Sequence, residues 1–329
     1  MAAPVSRYRR VRIPAWDCVS AAGNVATSWA ACRDGRSALR RVDGIGWCGT
    51  ITAKPGANVD ALALAAARAP WRALVDSGVF ALAASASKGD PAALDAALGG
   101  DARALGRAGA EQATMALARA LGVRHLLPTP VAAACSTGLY SVLACADLLE
   151  TGVATRALAG ASDASLTPLL IAGFAALGVL CGETTPTAFA TPTGFAPAEG
   201  AGFVALSAGG AWRLAAGVRV ADARHETQFI DPATLHAALS ALWEAGPRPD
   251  LIVVHGTGTS AGDAYEGAGL DGGPWADRAR LACKPTIGHC LGASGAVELA
   301  IALEAPLGCI WKLSLGFGGH LAAVACVRD

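Results

Sequence analysis

Apolar positions along the chain fall into two kinds of run. Short ones, of strand length, occur at Val11–Ile13 with Val19, Val79–Ala84, Ala157–Gly160, Gly200–Leu206, Val218–Ala221 and Leu251–Val254. Bounded by polar or turn residues, each predicts a strand. Longer ones follow helical spacing. Leu139, Val142, Leu143, Ala146 and Leu149 line one face of a predicted helix over Leu139–Glu150, and Gly152 supplies its stop signal. Trp29–Leu39, Glu111–Leu121 and Pro232–Ala245 also predict helices, as do the Ala-rich runs Ala61–Ala69 and Ala92–Ala97, because Ala has the highest helix propensity. The short run Val131–Ala134 leads into Cys135-Ser136-Thr137-Gly138 and predicts a strand feeding a tight turn.

Two uncharged stretches, Leu126–Ala146 and Ala164–Gly182, approach the length of a membrane span. Pro128, Pro130 and Gly138 interrupt the first, and Pro168, Gly173 and Gly178 the second, so both are expected to be buried pieces of a soluble protein. The chain has 329 residues, enough for one large α/β domain or two ordinary ones. Hydrophobic residues make up 53% and charged residues 16%, which excludes a disordered chain. The formal net charge is zero, so no overall field draws nucleic acid or an anionic membrane. The first residues carry Arg without a following apolar segment, and the expected location is cytoplasmic. The ten cysteines contain no Cys-x-x-Cys pair and are expected as reduced thiols, with no zinc site among them. Only four residues are Lys: Lys54, Lys88, Lys284 and Lys312.

A small-residue turn followed by an apolar helix occurs twice. It runs once through Cys135 to Glu150 and once from Ile287-Gly288-His289 through Ala293–Glu304. Both helices are apolar nearly all round and therefore predicted to be buried. The echo predicts a duplicated α/β architecture. At the start of the first helix, free backbone N–H groups and the helix dipole favour an anion. The Cys135 thiol is therefore expected to ionise below its usual range and to serve as a thioester-forming nucleophile. His255 opens a Gly/Thr turn after Leu251–Val254, and His289 sits in a Gly-rich turn after Lys284-Pro285-Thr286. Such turns commonly present catalytic groups.

The segment AACSTGLYSVLACADLLETG resembles the active-site region of the β-ketoacyl-ACP synthases, the condensing enzymes of fatty-acid and polyketide synthesis. HGTGTSAGDAYE resembles their first histidine motif and KPTIGHCLGASGAVELAIAL their lysine and second histidine motif. GFAPAEGAGFVAL is similar to the glycine-rich strand between them, and SLGFGGH to the C-terminal Gly-Phe-Gly-Gly loop. The motifs stand in family order between Val11 and Cys326. The resemblance implies a thiolase-like fold of two duplicated halves in a layered α-β-α-β-α arrangement, residues 1–206 carrying the nucleophile and 207–329 the two histidines. It implies a dimer, homomeric or with a related subunit. By resemblance, Cys135 accepts the acyl group, and His255 and His289 assist decarboxylation and hold the enolate oxygen. Lys284 is the lysine of the second histidine motif, with Asp263 and Glu266 supporting the polar network. Phe317, followed by Gly318, is the gating residue whose N–H completes an oxyanion hole with that of Cys135.

That chemistry needs no metal or organic cofactor. The implied partner is an acyl carrier protein bearing acyl or malonyl groups, and the Arg7, Arg9, Arg10 and Arg12 cluster is read first as a solvated basic end. The chain is short compared with family members between Val42 and Leu126 and between His225 and Pro232, and departs from them at Leu315 and His320. Three functions fit: a decarboxylating ketosynthase of a secondary-metabolite pathway, an acyltransferase or thioester hydrolase on the same fold, or a partner subunit of a heterodimer. The retained Cys135, His255, His289 and Lys284 favour the first, because acyl transfer alone does not call for two enolate donors.

Overall fold

The computed structural model describes residues 3–52, 55–74, 78–123, 126–229 and 231–329. Two sheets organise them. One has six strands, in the order Gly23–Asn24, Trp16–Ser20, Gly200–Leu206, Arg156–Asp163, Phe80–Ser85 and Leu127–Pro128. The other has seven, in the order Val5–Arg7, Trp212–Ala221, His320–Arg328, Cys309–Gly316, Leu251–Val253 and Ala279–Leu281, with Arg12–Ile13 also pairing to Trp212–Ala221.

The two sheets repeat one pattern. From Trp16–Ser20 the successive pairings are antiparallel, antiparallel, parallel and parallel. From Trp212–Ala221 they run in the same sequence. The shared strand order is the structural form of the echo in the sequence.

Strand residues point alternately to two apolar layers, as expected of strands buried on both faces. Val204 and Leu206 face the centre of the molecule, while Ala201, Phe203 and Ala205 face outward. Val253 faces the centre, with Ile252 and Val254 outward. Between the sheets lie the helices Thr137–Glu150 and Ser294–Leu303, the second with all its residues buried. Val59–Arg72 and Gln112–Ala120 cover the first sheet's outer face, and Pro232–Ala245 and Ser260–Asp271 the second's. The layering is α-β-α-β-α.

The central helices cross near their N-termini. A Cβ on Gly138 would stand 2.6 Å from the backbone N of Ala296, and one on Gly295 would stand 3.0 Å from Leu139 Cγ. Only glycine allows this approach. Alanine at position 138 adds about 1 kcal/mol of helix propensity, but the clash is with backbone and outweighs it. Gly138→Ala is expected to lower stability by about 1–2 kcal/mol net in urea unfolding; an unchanged midpoint would place the crossing elsewhere.

Several predicted elements shift. The first helix runs over Val25–Arg33 instead of Trp29–Leu39, because Asn24 caps it by accepting from Thr27 N at 3.0 Å, and Gly35 with φ +65° follows its end. Val131–Ala134 is not a strand. The strand there is Leu127–Pro128, and Pro128 and Pro130 lack the N–H groups needed to extend the ladder. Among the described residues no helix is long and apolar enough to cross a membrane. Leu126–Ala146 is divided among a short strand, a loop and part of a helix.

Candidate active site

Cys135 lies in a single 3-10 turn, Ala134–Ser136, that runs directly into the helix Thr137–Glu150. Ala134 holds φ +45°, a left-handed conformation that a residue with a Cβ adopts only when its surroundings enforce it. The enforcing contacts are local. Ala133 N donates to Thr137 Oγ1 at 2.9 Å, Thr137 Oγ1 donates to the Ala134 carbonyl at 2.7 Å, and Ser136 Oγ donates to the His320 carbonyl at 2.9 Å. The second half repeats the elbow at Leu291–Ala293, where Leu291 has φ +43°.

A cavity of about 410 Å³ opens beside Cys135. His255, His289, Gly316 and Phe317 line it with the thiol, and Phe174, Leu177, Val179, Phe195, Phe229 and Tyr265 form much of its apolar wall. The chain at Gly316 packs so tightly that a Cβ there would stand 3.1 Å from Cys135 N. Gly318 does not line the cavity; its N donates to the Glu226 carbonyl at 2.7 Å. Leu315 lines the same cavity.

The histidine rings are 5.5 Å apart, edge to face, and almost fully buried. Burial, with the Lys284 ammonium nearby, holds both well below the usual imidazole range, so both are neutral at pH 7. Each Nδ1 is occupied from behind. Ser294 Oγ lies 2.8 Å from that of His289, and Lys284 Nζ lies 3.4 Å from that of His255. An ammonium can only donate, so His255 Nδ1 accepts and its proton resides on Nε2.

Lys284 does not touch the cavity. It is 1% exposed, donates to the His255 carbonyl, and pairs with Glu298 Oε1 at 2.8 Å. Glu298 lies in the middle of the buried helix Ser294–Leu303 and also pairs with Lys312, whose Nζ donates to the Val254 carbonyl at 3.1 Å. Glu266 accepts from His255 N at 2.6 Å and Gly256 N at 2.7 Å; burial raises its pKa, and these donors oppose the rise. Asp263 accepts from Gly258 N at 3.0 Å and Phe189 N at 2.7 Å, tying two loops together. Both carboxylates hold backbone, and neither lines the cavity.

One expectation about Cys135 is reversed. Burial pushes its thiol up to about 11, outweighing Lys88 and Lys284, which pull it down. Taking water away from the thiolate is the larger effect there. Sequence reasoning also missed Glu298, Lys312, Ser294 and the Lys88–Asp163 pair. A signal existed: the chain has few Lys, and the three that lie among the described residues all gather here. A Glu amid the apolar run Ser294–Leu303 was a second.

Residues 49–209 match the family described as "Beta-ketoacyl synthase, N-terminal domain", and residues 215–305 match "Beta-ketoacyl synthase, C-terminal domain". Nodulation protein E of Rhizobium meliloti is 32% identical over 184 residues, covering 51% of this chain and 46% of that protein. The actinorhodin polyketide putative beta-ketoacyl synthase 1 of Streptomyces coelicolor is 30% identical over 203 residues, covering 54% and 43%. The chain thus spans about half the length of the curated relatives it matches. Among solved structures, a type II polyketide acyl-carrier protein in complex with its ketosynthase, AntDE:AntF, aligns with a TM-score of 0.87 at 22% identity, over 98% of this chain and 100% of that one. A beta-ketoacyl synthase from Burkholderia phymatum aligns with a TM-score of 0.85 at 19% identity, over 98% and 100%. The repeated sheets, the paired central helices and both domain matches agree: the chain belongs to the β-ketoacyl synthase family and has its thiolase fold.

Proposed function

We propose that this chain is a decarboxylating condensing enzyme. The observation that carries the reading is that Cys135, His255 and His289 face one cavity with a long apolar wall. The Cys135 thiolate attacks the carbonyl of an acyl thioester on a carrier protein. A bond forms between Sγ and the acyl carbon, the carbon–sulfur bond to the carrier breaks, and the carrier thiolate takes up a proton. A malonyl-type extender then loses its carboxylate as carbon dioxide, and the bonding pair left behind becomes an enolate. Neutral Nε2–H groups of His255 and His289 donate to the enolate oxygen. The carbanion attacks acyl-Cys135, whose oxygen is held by the N–H groups of Cys135 and Phe317, and the thiolate leaves.

Lys284 and Glu298 fix the His255 tautomer in this scheme, and Glu266 and Asp263 hold the loops that carry it. The halves are residues 1–206 and 207–329, and the partners are an acyl carrier protein and a second subunit. Static light scattering at micromolar concentration is expected to give about twice the 32.8 kDa chain mass; a clean monomer would contradict the assembly. Two of the similar structures pair a ketosynthase with a chain length factor, which favours a heterodimer as the second reading of assembly. Retention of Cys135 and both histidines favours the catalytic side of such a pair for this chain. Carbon dioxide release from a malonyl carrier in the presence of acyl-Cys135 tests the function; acyl turnover to water without it would favour a hydrolase.

A further inference from the structure

Lys88 lines the cavity beside Cys135, and the chemistry above gives it no task. It follows the strand Phe80–Ser85. Its Nζ donates to Asp163 Oδ2 at 2.9 Å and to Ser87 Oγ at 3.0 Å. Asp163 ends the neighbouring parallel strand, and its side chain is 2% exposed. The carboxylate also accepts from Gly292 N and Ser87 Oγ, each at 3.3 Å, and from Ser165 Oγ. The Lys88 side chain is 26% exposed, so the ammonium is tethered at a fixed point on the cavity wall and only partly hydrated. A charge so placed acts on its neighbours with less screening than a surface charge does.

Cys135 needs such a charge. Removal of water pushes its thiol up to about 11, well above neutral pH, and leaves little thiolate at pH 7. The charged groups that bear on it are Lys88 and Lys284, which favour the anion, and Asp163 and Glu298, which oppose it. His255 and His289 are neutral and add no positive charge. Lys312 is turned to Glu298, and Lys284 is engaged with the same carboxylate behind His255. Of the lysines among the described residues, Lys88 alone reaches the cavity.

We propose that Lys88, tethered by Asp163 and Ser87, is a positioning residue whose charge stabilises the Cys135 thiolate and so sets the rate at which the site takes up an acyl group. The inference rests on Cys135 being the nucleophile. When the thiol ionises, its proton passes to solvent, and the sulfur anion remains in the same cavity as the ammonium. The ammonium keeps its own proton, so Lys88 acts by charge and not as a base.

The test is alkylation of Cys135 in the full chain by iodoacetamide, a neutral reagent whose approach Lys88 does not steer. Brief pulses between pH 7 and pH 12 are read by peptide mass spectrometry. In Lys88→Met the labelling rate at pH 7 is expected to fall about tenfold, the smallest effect usual for loss of a close opposite charge. The gap should narrow toward high pH, where the wild-type thiol approaches full ionisation while the variant's is still rising. Lys88→Arg should restore the wild-type profile. Because Lys88→Met strands a buried carboxylate, the Lys88→Met/Asp163→Asn double variant is measured beside it. It should shift the same way by less, since Lys88 outweighs Asp163 at the thiol. Equal profiles in all variants, or a loss of the same factor at every pH, would overturn the proposal and leave Cys135 as the nucleophile. Wild-type labelling that begins at another cysteine would remove the nucleophile reading itself, and this inference with it.

Discussion

Alanine at position 135 is expected to abolish acylation of the protein. Of the ten cysteines, Cys135 alone is partly exposed, and the other nine are buried. It also lines a cavity large enough for an acyl chain. The change removes one sulfur from a turn whose geometry is held by Thr137, Ser136 and the His320 carbonyl, so the fold should survive it. Intact-protein mass after incubation with an acyl thioester gives the readout. Wild type should gain one acyl mass, at a rate that climbs about tenfold per pH unit through the neutral range because the thiol titrates far above it. An adduct forming on Cys135→Ala at the wild-type rate would move the nucleophile elsewhere.

The second large effect separates the two half-reactions. His289→Ala should still form acyl-Cys135, because in the proposed scheme the enolate that His289 holds arises only after loading. Loss of one donor of this kind costs about 10²–10³ in rate, so carbon dioxide release from a malonyl carrier should fall by that factor. The prediction draws on the neutral state of His289 and on Ser294, which occupies its Nδ1 and leaves Nε2 for the cavity. Slowed loading with unchanged decarboxylation would reverse the assignment.

Much of this site could be read from the chain because its parts occupy punctuated segments. Cys135, His255 and His289 each sit in a turn of small residues beside an apolar run, and the cavity brings all three together. The repeat of turn and helix likewise anticipated two central helices and a duplicated sheet. What could not be read depends on strand pairing. Lys88 and Asp163 lie 75 positions apart and meet only because Phe80–Ser85 and Arg156–Asp163 run parallel side by side. Lys312 reaches Glu298, in the buried helix Ser294–Leu303, from the strand Cys309–Gly316. The ionisation of Cys135 went the other way from expectation for a similar reason. A helix start is visible in a sequence, whereas the surroundings that take water away from the thiolate are set by the packed layers. Boundaries shifted where a single side chain or proline decided them, as at Asn24 and Pro130.

A single-turnover experiment reaches the central claim most directly. Cys135 is loaded with an acyl group, the excess donor is removed, and a malonyl-loaded carrier protein is added. Carbon dioxide and the carrier-bound product are measured together. The account predicts one carbon dioxide released for each acyl group lost from Cys135, with a β-ketoacyl chain appearing on the carrier. Loss of the acyl group to water or to another acceptor, with no carbon dioxide released, would contradict it.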